Sequence, residues 1–232
     1  MSAMEPASPS PSPVSPEIGV TGSCSSTCDP GLVAAPGRGA LPGSDDDAAS
    51  PARHPHDSPD AEDALSELQA LLKLNFARIE PLSRGPAEIL PHLLLGSCDD
   101  ARNVQVLRSL RVTHVLNCAS ASVRTGAEFY QPYGMSYSEF VSEDVQGYDI
   151  MQHYPLLADL ADAARATGGR LFVHCEAGVN RSGTLCIAYH TASTGMPLVP
   201  SARHCKARRG RICTNVSFQR QLFNFALDRR LP

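Results

Sequence analysis

One short segment holds a thiol, a guanidinium and a glycine in an order that could handle a phosphate. Cys175 directly follows the apolar run Leu171-Phe172-Val173-His174, and Arg181 follows after Glu176, Ala177, Gly178, Val179 and Asn180. The run reads as a short buried strand, and the residues from Arg181 to about 194 read as a helix. A tight loop between a strand and a helix N-terminus can turn its backbone N–H groups onto a single anion, and the helix dipole favours negative charge there. Gly178 lets such a loop turn without steric cost. Arg181 can add a two-point grip on phosphate oxygens. The same positive field favours the thiolate form of Cys175. A phosphate cradle with a thiolate at its base implies phosphoryl transfer through a phosphocysteine. The competing reading, a buried Cys and an unrelated surface Arg, explains neither the spacing nor the strand.

The segment matches His-Cys-x5-Arg-Ser/Thr, the signature of cysteine-dependent protein tyrosine phosphatases, through His174-Cys175 and Arg181-Ser182. The resemblance runs further. Ile89-Leu90-Pro91-His92-Leu93-Leu94-Leu95-Gly96-Ser97 is similar to the first strand of dual-specificity phosphatases. Val112-Thr113-His114-Val115-Leu116-Asn117-Cys118 is similar to their next core strand, and Asn215 to Leu222 to their closing helix. The similar region covers about 86–228. It is short and lacks a tyrosine-recognition loop like that of the larger tyrosine phosphatases. Nothing in it resembles the rhodanese-like docking domain of typical MAP-kinase phosphatases. The resemblance therefore points to the small, atypical dual-specificity group, with a shallow pocket that accepts phosphotyrosine and phosphoserine/threonine.

The resemblance also implies roles. The leaving oxygen needs a proton, and the family places an acidic residue in a loop before the Cys. Glu143, Asp144 and Asp149 are the candidates, and Ser142-Glu143-Asp144 matches the family position, which assigns the role to Asp144. Asp149 is better explained as the cap of the following helix. Ser182 is implied as the hydrogen-bond donor to the sulfur, with a plain helix N-cap as its alternative. His174 is implied to orient the loop, although a His at a strand end is otherwise a satisfied core residue. Glu176, Ala177, Gly178, Val179 and Asn180 are expected to bind phosphate mainly through backbone N–H groups. No metal or other cofactor is needed for this chemistry.

The elements that must position these groups alternate between strand and helix. Apolar spacing predicts a helix over 62–79, ended by Pro81 and Pro86. It then predicts a strand with a turn over 89–96, a helix over 99–110, and strands over 112–118 and 135–141. A helix over 149–166 follows, irregular at Pro155 and ended by Gly168-Gly169. Beyond the 171–174 strand, helices are expected at about 181–194, 200–208 and 216–228. The fold class is therefore α/β, a dual-specificity phosphatase-like central sheet flanked by helices. Residues 119–134 are expected to shape one wall of the pocket.

Eleven of the nineteen prolines fall in residues 1–60, where aromatic residues are absent. Such a stretch cannot bury enough apolar surface to offset its ordering entropy, so 1–61 is expected to be a disordered tail and 62–232 the catalytic domain. Ser8, Ser10, Ser12, Ser15, Ser50 and Ser58 each precede a proline. They suit either a plain proline-rich tail or proline-directed phosphorylation. Cys24 and Cys28 have metal-like spacing but no second ligand pair nearby, so they read as a structureless pair.

The chain carries a net charge of −4, with 42% hydrophobic and 19% charged residues, so nothing global points to nucleic acid. No apolar run approaches the ~20 residues of a membrane helix. An acidic, proline-bearing start predicts no secretory leader, and Ser2 and Arg230-Leu231-Pro232 predict neither common lipid motif. Eight cysteines with no leader suggest a reducing compartment, cytoplasmic or nuclear. From residue 200 onward eight Lys/Arg face Asp228 alone, and Arg208, Arg209 and Arg211 cluster before Asn215. These read as a solvated helix end or as a rim for acidic or doubly phosphorylated substrate.

The expected partner is a phosphoprotein, including a protein kinase. Two alternatives stand beside this. Asn180-Arg181-Ser182-Gly183 also resembles the loop of RNA 5′-triphosphatases, although those generally lack an acid at the position of Asp144. A phosphoprotein-binding module with little catalysis would usually have lost the Cys or the Arg.

Overall fold

The computed structural model describes residues 59–73 and 81–231. Residues 1–58 of the expected tail, with its Ser-Pro pairs and the pair Cys24/Cys28, and residues 74–79 of the expected 62–79 helix lie outside the described residues; that helix starts earlier than expected, at Pro59, and ends at Leu72.

A five-stranded sheet has the order β1-β2-β5-β3-β4, formed by Ala87–Leu90 (β1), Leu93–Gly96 (β2), His114–Asn117 (β3), Ser136–Glu139 (β4) and Leu171–His174 (β5). The first two strands form an antiparallel hairpin; all other pairings are parallel. Parallel strands need both faces covered, and β2 and β5 at the centre are buried along their whole length. In β5, Leu171 and Val173 join the larger core, while Phe172 joins the smaller one on the opposite face. Strand β2 divides the same way, with Leu93 and Leu95 on one face and Leu94 on the other.

Pro59–Leu72 (α1), Tyr154–Ala166 (α5), Arg181–Thr194 (α6), Leu198–Arg209 (α7) and Val216–Asp228 (α8) supply the larger core. Cys98–Arg102 (α2), Val104–Ser109 (α3) and Ala127–Tyr130 (α4) cover the other face. The expected 99–110 helix is two helices, because the Asn103 side chain accepts from the Val106 N–H and starts a new one. The expected 149–166 helix opens instead with a 3-10 turn at Met151–His153; Ile150 and His153 hold the cap positions of the turn and of the helix, so Asp149 is not the helix cap, and it accepts only from the Met151 N–H two residues on. The turn then passes into α5 with Pro155 in its first positions, where a missing N–H costs nothing. The strand expected over 135–141 shortens to β4.

Helix α6 is buried continuously from Arg181 to Thr191. Its Gly183 is a packing requirement, since a Cβ there would stand 2.7 Å from Ile212 Cγ1. His190 on the same helix faces Ser201 Oγ at 3.1 Å, with its ring 4.3 Å from that of His204. Burial, with the neighbouring charges of His204 and Arg208, pushes His190 down to about 4. Burial also pushes His174 down to about 4. An unfolded histidine takes up its proton near pH 6.5, so stability is complete above that value and is lost as pH falls towards 4. The urea midpoint is therefore expected to drop between pH 7 and pH 5, and His190→Gln is expected to flatten that drop. An equally steep drop in the variant would remove His190 as a source.

Candidate active site

The C-terminal ends of parallel strands are where an α/β sheet presents ligand sites, and β5 delivers Cys175 there, 2% exposed. The loop after it turns at Gly178, whose φ is +65°. A Cβ at this position would overlap the Gly96 carbonyl oxygen and stand 2.6 Å from an Arg209 Nη2, so no other residue fits. Helix α6 begins at Arg181. Ser182 thus lies inside the first turn rather than at the cap, and its hydroxyl donates to Cys175 Sγ at 3.2 Å.

Cys175 and Arg181 line a cavity of about 320 Å³, together with Glu176, Ala177, Val179 and Asn180 of the loop. Asp144, Arg211 and Thr214 complete its wall. Arg181 is 7% exposed; its Nη1 donates to the Ser142 carbonyl at 3.3 Å, and its Nη2 lies 3.6 Å from Glu176 Oε2. The buried Nε of Arg181 has no partner among the described residues. A buried donor without a partner is costly, and an anion in the cavity would relieve it. Glu176 thus turns its side chain towards the Arg181 guanidinium.

His174 is fully buried, with Nδ1 3.2 Å from the Cys175 carbonyl oxygen and its ring stacked near Phe172. Burial lowers its affinity for a proton, so the imidazole is neutral at physiological pH. Its contact is with the Cys175 backbone, which suits a role in orienting the loop.

Of the three acidic candidates, only Asp144 lines the cavity. The Asn180 amide donates to its Oδ2 at 2.9 Å and the Asn215 amide to its Oδ1 at 3.1 Å. Glu143 is exposed beside it, and Asp149 is exposed and accepts from the Met151 N–H. The loop bearing Asp144 is tied to the sheet by Ser142, whose hydroxyl donates to the Cys118 carbonyl at 2.5 Å.

Several contributors were not singled out by sequence. Arg209, grouped there with the rim arginines, is 1% exposed. Its guanidinium donates to the carbonyls of Gly178 at 3.1 Å and Ala177 at 2.9 Å, and to Ser83 Oγ at 2.9 Å, with Asp100 at 3.7 Å. By holding two loop carbonyls outward it favours the inward direction of the N–H groups. Arg211 is the basic residue of that cluster that lines the cavity. The Asn180 side chain donates to Asp144 and accepts from Thr214 and Asn215. No residue of 119–134 lines the cavity; the turn there is instead held by Asn117, whose amide donates to the Val123 carbonyl. Among the described residues, no group of three or more His, Cys, Asp or Glu is arranged to hold a metal ion.

Residues 93–227 match the family model described as "Dual specificity phosphatase, catalytic domain". The chain is 39% identical over 145 residues to dual specificity protein phosphatase 26 of Homo sapiens, covering 62% of this chain and 67% of that protein. It is 36% identical over 141 residues to dual specificity protein phosphatase 2 of Homo sapiens, covering 61% of this chain and 43% of that one. Among solved structures, DUSP15 superposes with a TM-score of 0.57 at 26% identity, covering 64% of this chain and 93% of that chain. The human tyrosine phosphatase-like serine/threonine/tyrosine-interacting protein gives 0.58 at 26% identity, covering 64% and 99%.

Proposed function

The chain belongs to the family of dual specificity phosphatase catalytic domains, and from that premise we propose how its own residues carry the reaction. It is a protein phosphatase, a hydrolase of phosphoprotein monoesters. The observation that carries the residue assignment is a hydroxyl-bonded sulfur, Cys175 Sγ, in a cavity that also holds Arg181 and Asp144.

In the first step the Cys175 thiolate attacks phosphorus while the ester P–O bond breaks. The departing oxygen takes a proton from the Asp144 carboxyl, and the phosphoryl group is held as a phosphocysteine. The loop N–H groups and Arg181 bind the equatorial oxygens, where charge is greatest in the transition state. In the second step water attacks phosphorus, the Asp144 carboxylate takes its proton, and the S–P bond breaks. The Ser182 hydroxyl stabilises the sulfur as it leaves with its electron pair. A cavity open to solvent suits phosphoserine and phosphothreonine as well as phosphotyrosine.

The test is hydrolysis of p-nitrophenyl phosphate by the full chain in reducing buffer without metal, followed by phosphopeptides. Absence of turnover would refute the assignment. Asn180 and Gly183, which gave the RNA 5′-triphosphatase reading its support, have local structural partners here in Asp144 and Ile212. The binding-module alternative is not favoured, since thiol, guanidinium and acid are all present.

Arg211 points to acidic or doubly phosphorylated sequences as substrates, since it brings a second cation to the cavity wall. Arg211→Ala is expected to raise KM for a doubly phosphorylated peptide about tenfold more than for p-nitrophenyl phosphate. Equal changes in the two would remove this role. A phosphorylated protein kinase fits such a substrate class. The six free cysteines among the described residues support a reducing compartment, cytoplasmic or nuclear. No described helix is long and apolar enough to cross a membrane.

A further inference from the structure

We infer that the side chain of Asn180 is a positioning residue, fixing the Asp144 carboxyl to the phosphate loop so that it meets the departing oxygen. This rests on the assignment of Asp144 as the acid.

Asn180 occupies the N-cap position of α6, where an Asn side chain ordinarily accepts from the N–H groups of the first turn. Here it makes no such bond. Its Oδ1 instead accepts from the Thr214 N–H at 2.7 Å, the Thr214 hydroxyl at 3.1 Å and the Asn215 N–H at 3.1 Å. Two backbone donors on one end of the amide fix its orientation, because the opposite orientation would set NH₂ against N–H. The NH₂ end therefore faces Asp144, and it donates to Oδ2.

The backbone of Asn180 is equally constrained. Its carbonyl accepts from the Thr184 N–H at 2.8 Å and the Thr184 hydroxyl at 2.7 Å, within the buried helix. One side chain thus joins three pieces: the phosphate loop, the segment entering α8, and the loop that carries the acid. Asn215 closes the same circuit by donating to the other carboxyl oxygen of Asp144.

Asp144 stands in an exposed loop, where a lone carboxyl would sample several rotamers. Attachment at both oxygens removes that freedom, and each oxygen keeps lone-pair capacity for the transferred proton. General acid catalysis depends on that alignment, so the amide contributes without touching the substrate. A shorter residue at 180 could not reach Asp144, and the acid would be present but unaimed.

The test uses the full chain and a series of aryl phosphates whose phenols range from strongly acidic (2,4-dinitrophenol) to weakly acidic (phenol). A phenolate that is stable without a proton needs no acid, so a defect in the acid grows as the leaving group worsens. Asp144→Asn supplies the reference, a steep dependence on leaving group. Asn180→Ala removes the amide. Asn180→Asp keeps the size and the three accepted bonds but sets a second carboxylate against Asp144 and the phosphate, so it is judged by its dependence on leaving group and not by its absolute rate. Asn180→Ala is expected to lower kcat for phenyl phosphate about tenfold or more and for 2,4-dinitrophenyl phosphate by about twofold or less, and Asn180→Asp, slower with every substrate, is expected to show the same steepening from the second to the first. Asn180→Ala in the Asp144→Asn background is expected to cost nothing further.

Equal losses across the series in both variants, beside a steep dependence in Asp144→Asn, would overturn the role of Asn180 and leave the acid assignment standing. Full additivity in the double variant would do the same. A wild type without turnover, or an Asp144→Asn with an unchanged dependence on leaving group, would overturn the assignment of the acid and this inference with it.

Discussion

Cys175→Ser is expected to lower kcat/KM for p-nitrophenyl phosphate by about four orders of magnitude or more, equivalent to roughly 5.5 kcal/mol of barrier. The substitution exchanges a sulfur for an oxygen in a site that is 2% exposed, so the fold has little reason to change. What changes is the nucleophile. A serine hydroxyl stays protonated at neutral pH, and no base stands beside it: the Ser182 hydroxyl donates towards this position, and the neutral His174 contacts the backbone carbonyl. Neither contact sets a proton acceptor on the hydroxyl that would have to lose its proton. The cradle itself persists, so the variant should still bind a phosphopeptide that it does not hydrolyse. Steady-state assays with the folded variant, together with calorimetric titration of the peptide, check both halves. Residual turnover above about one hundredth of wild type would mean that another group attacks phosphorus.

Asp144→Ala should lower kcat by about two to three orders of magnitude while leaving KM for small substrates near its wild-type value. The phosphate is held by the loop and by Arg181, neither of which needs this carboxyl to bind. The Asn180 and Asn215 amides lose an acceptor, but they lose it beside an exposed loop where water can replace it, so stability should change little. A thermal midpoint within a few degrees of wild type beside the fall in kcat would fit a role in chemistry. If Glu143→Ala rather than Asp144→Ala carried the loss, the acid would be the neighbour that the structure leaves outside the cavity wall.

The parts of this site that sequence made legible are those written in local pattern. Strand β5 and helix α6 emerge at their observed bounds, since a four-residue apolar run and a long helical stretch flank the loop. The break at Asn103 was hidden because apolar spacing continues across it, and only the capping bond of the Asn side chain reveals two helices. Strand order was not legible either. Crossover helices carry β5 between β2 and β3, and nothing in a single strand's composition records its neighbour. Arg209 shows the limit most clearly. In sequence it is one of several basic residues, and its buried grip on the Ala177 and Gly178 carbonyls depends on α7 packing under a distant loop. Asn180 was placed in the loop by sequence, but its amide partners come from two other loops.

Helix α6, enclosed along its first three turns, also sets the tempo of the site. Amides at the centre of a buried helix exchange with deuterium only when the domain opens widely, whereas amides in exposed loops exchange by small local motions. The phosphate loop is continuous with this slow element at Arg181. The segment from Glu143 to Asp149, which carries the acid, lies almost wholly at the surface. Deuterium uptake across the site should therefore have two rates, slow behind the bound phosphate and fast beside the leaving group. The anion cradle is a fixed part of the fold, while the backbone around the proton donor opens locally and recloses on the side-chain bonds from Asn180 and Asn215.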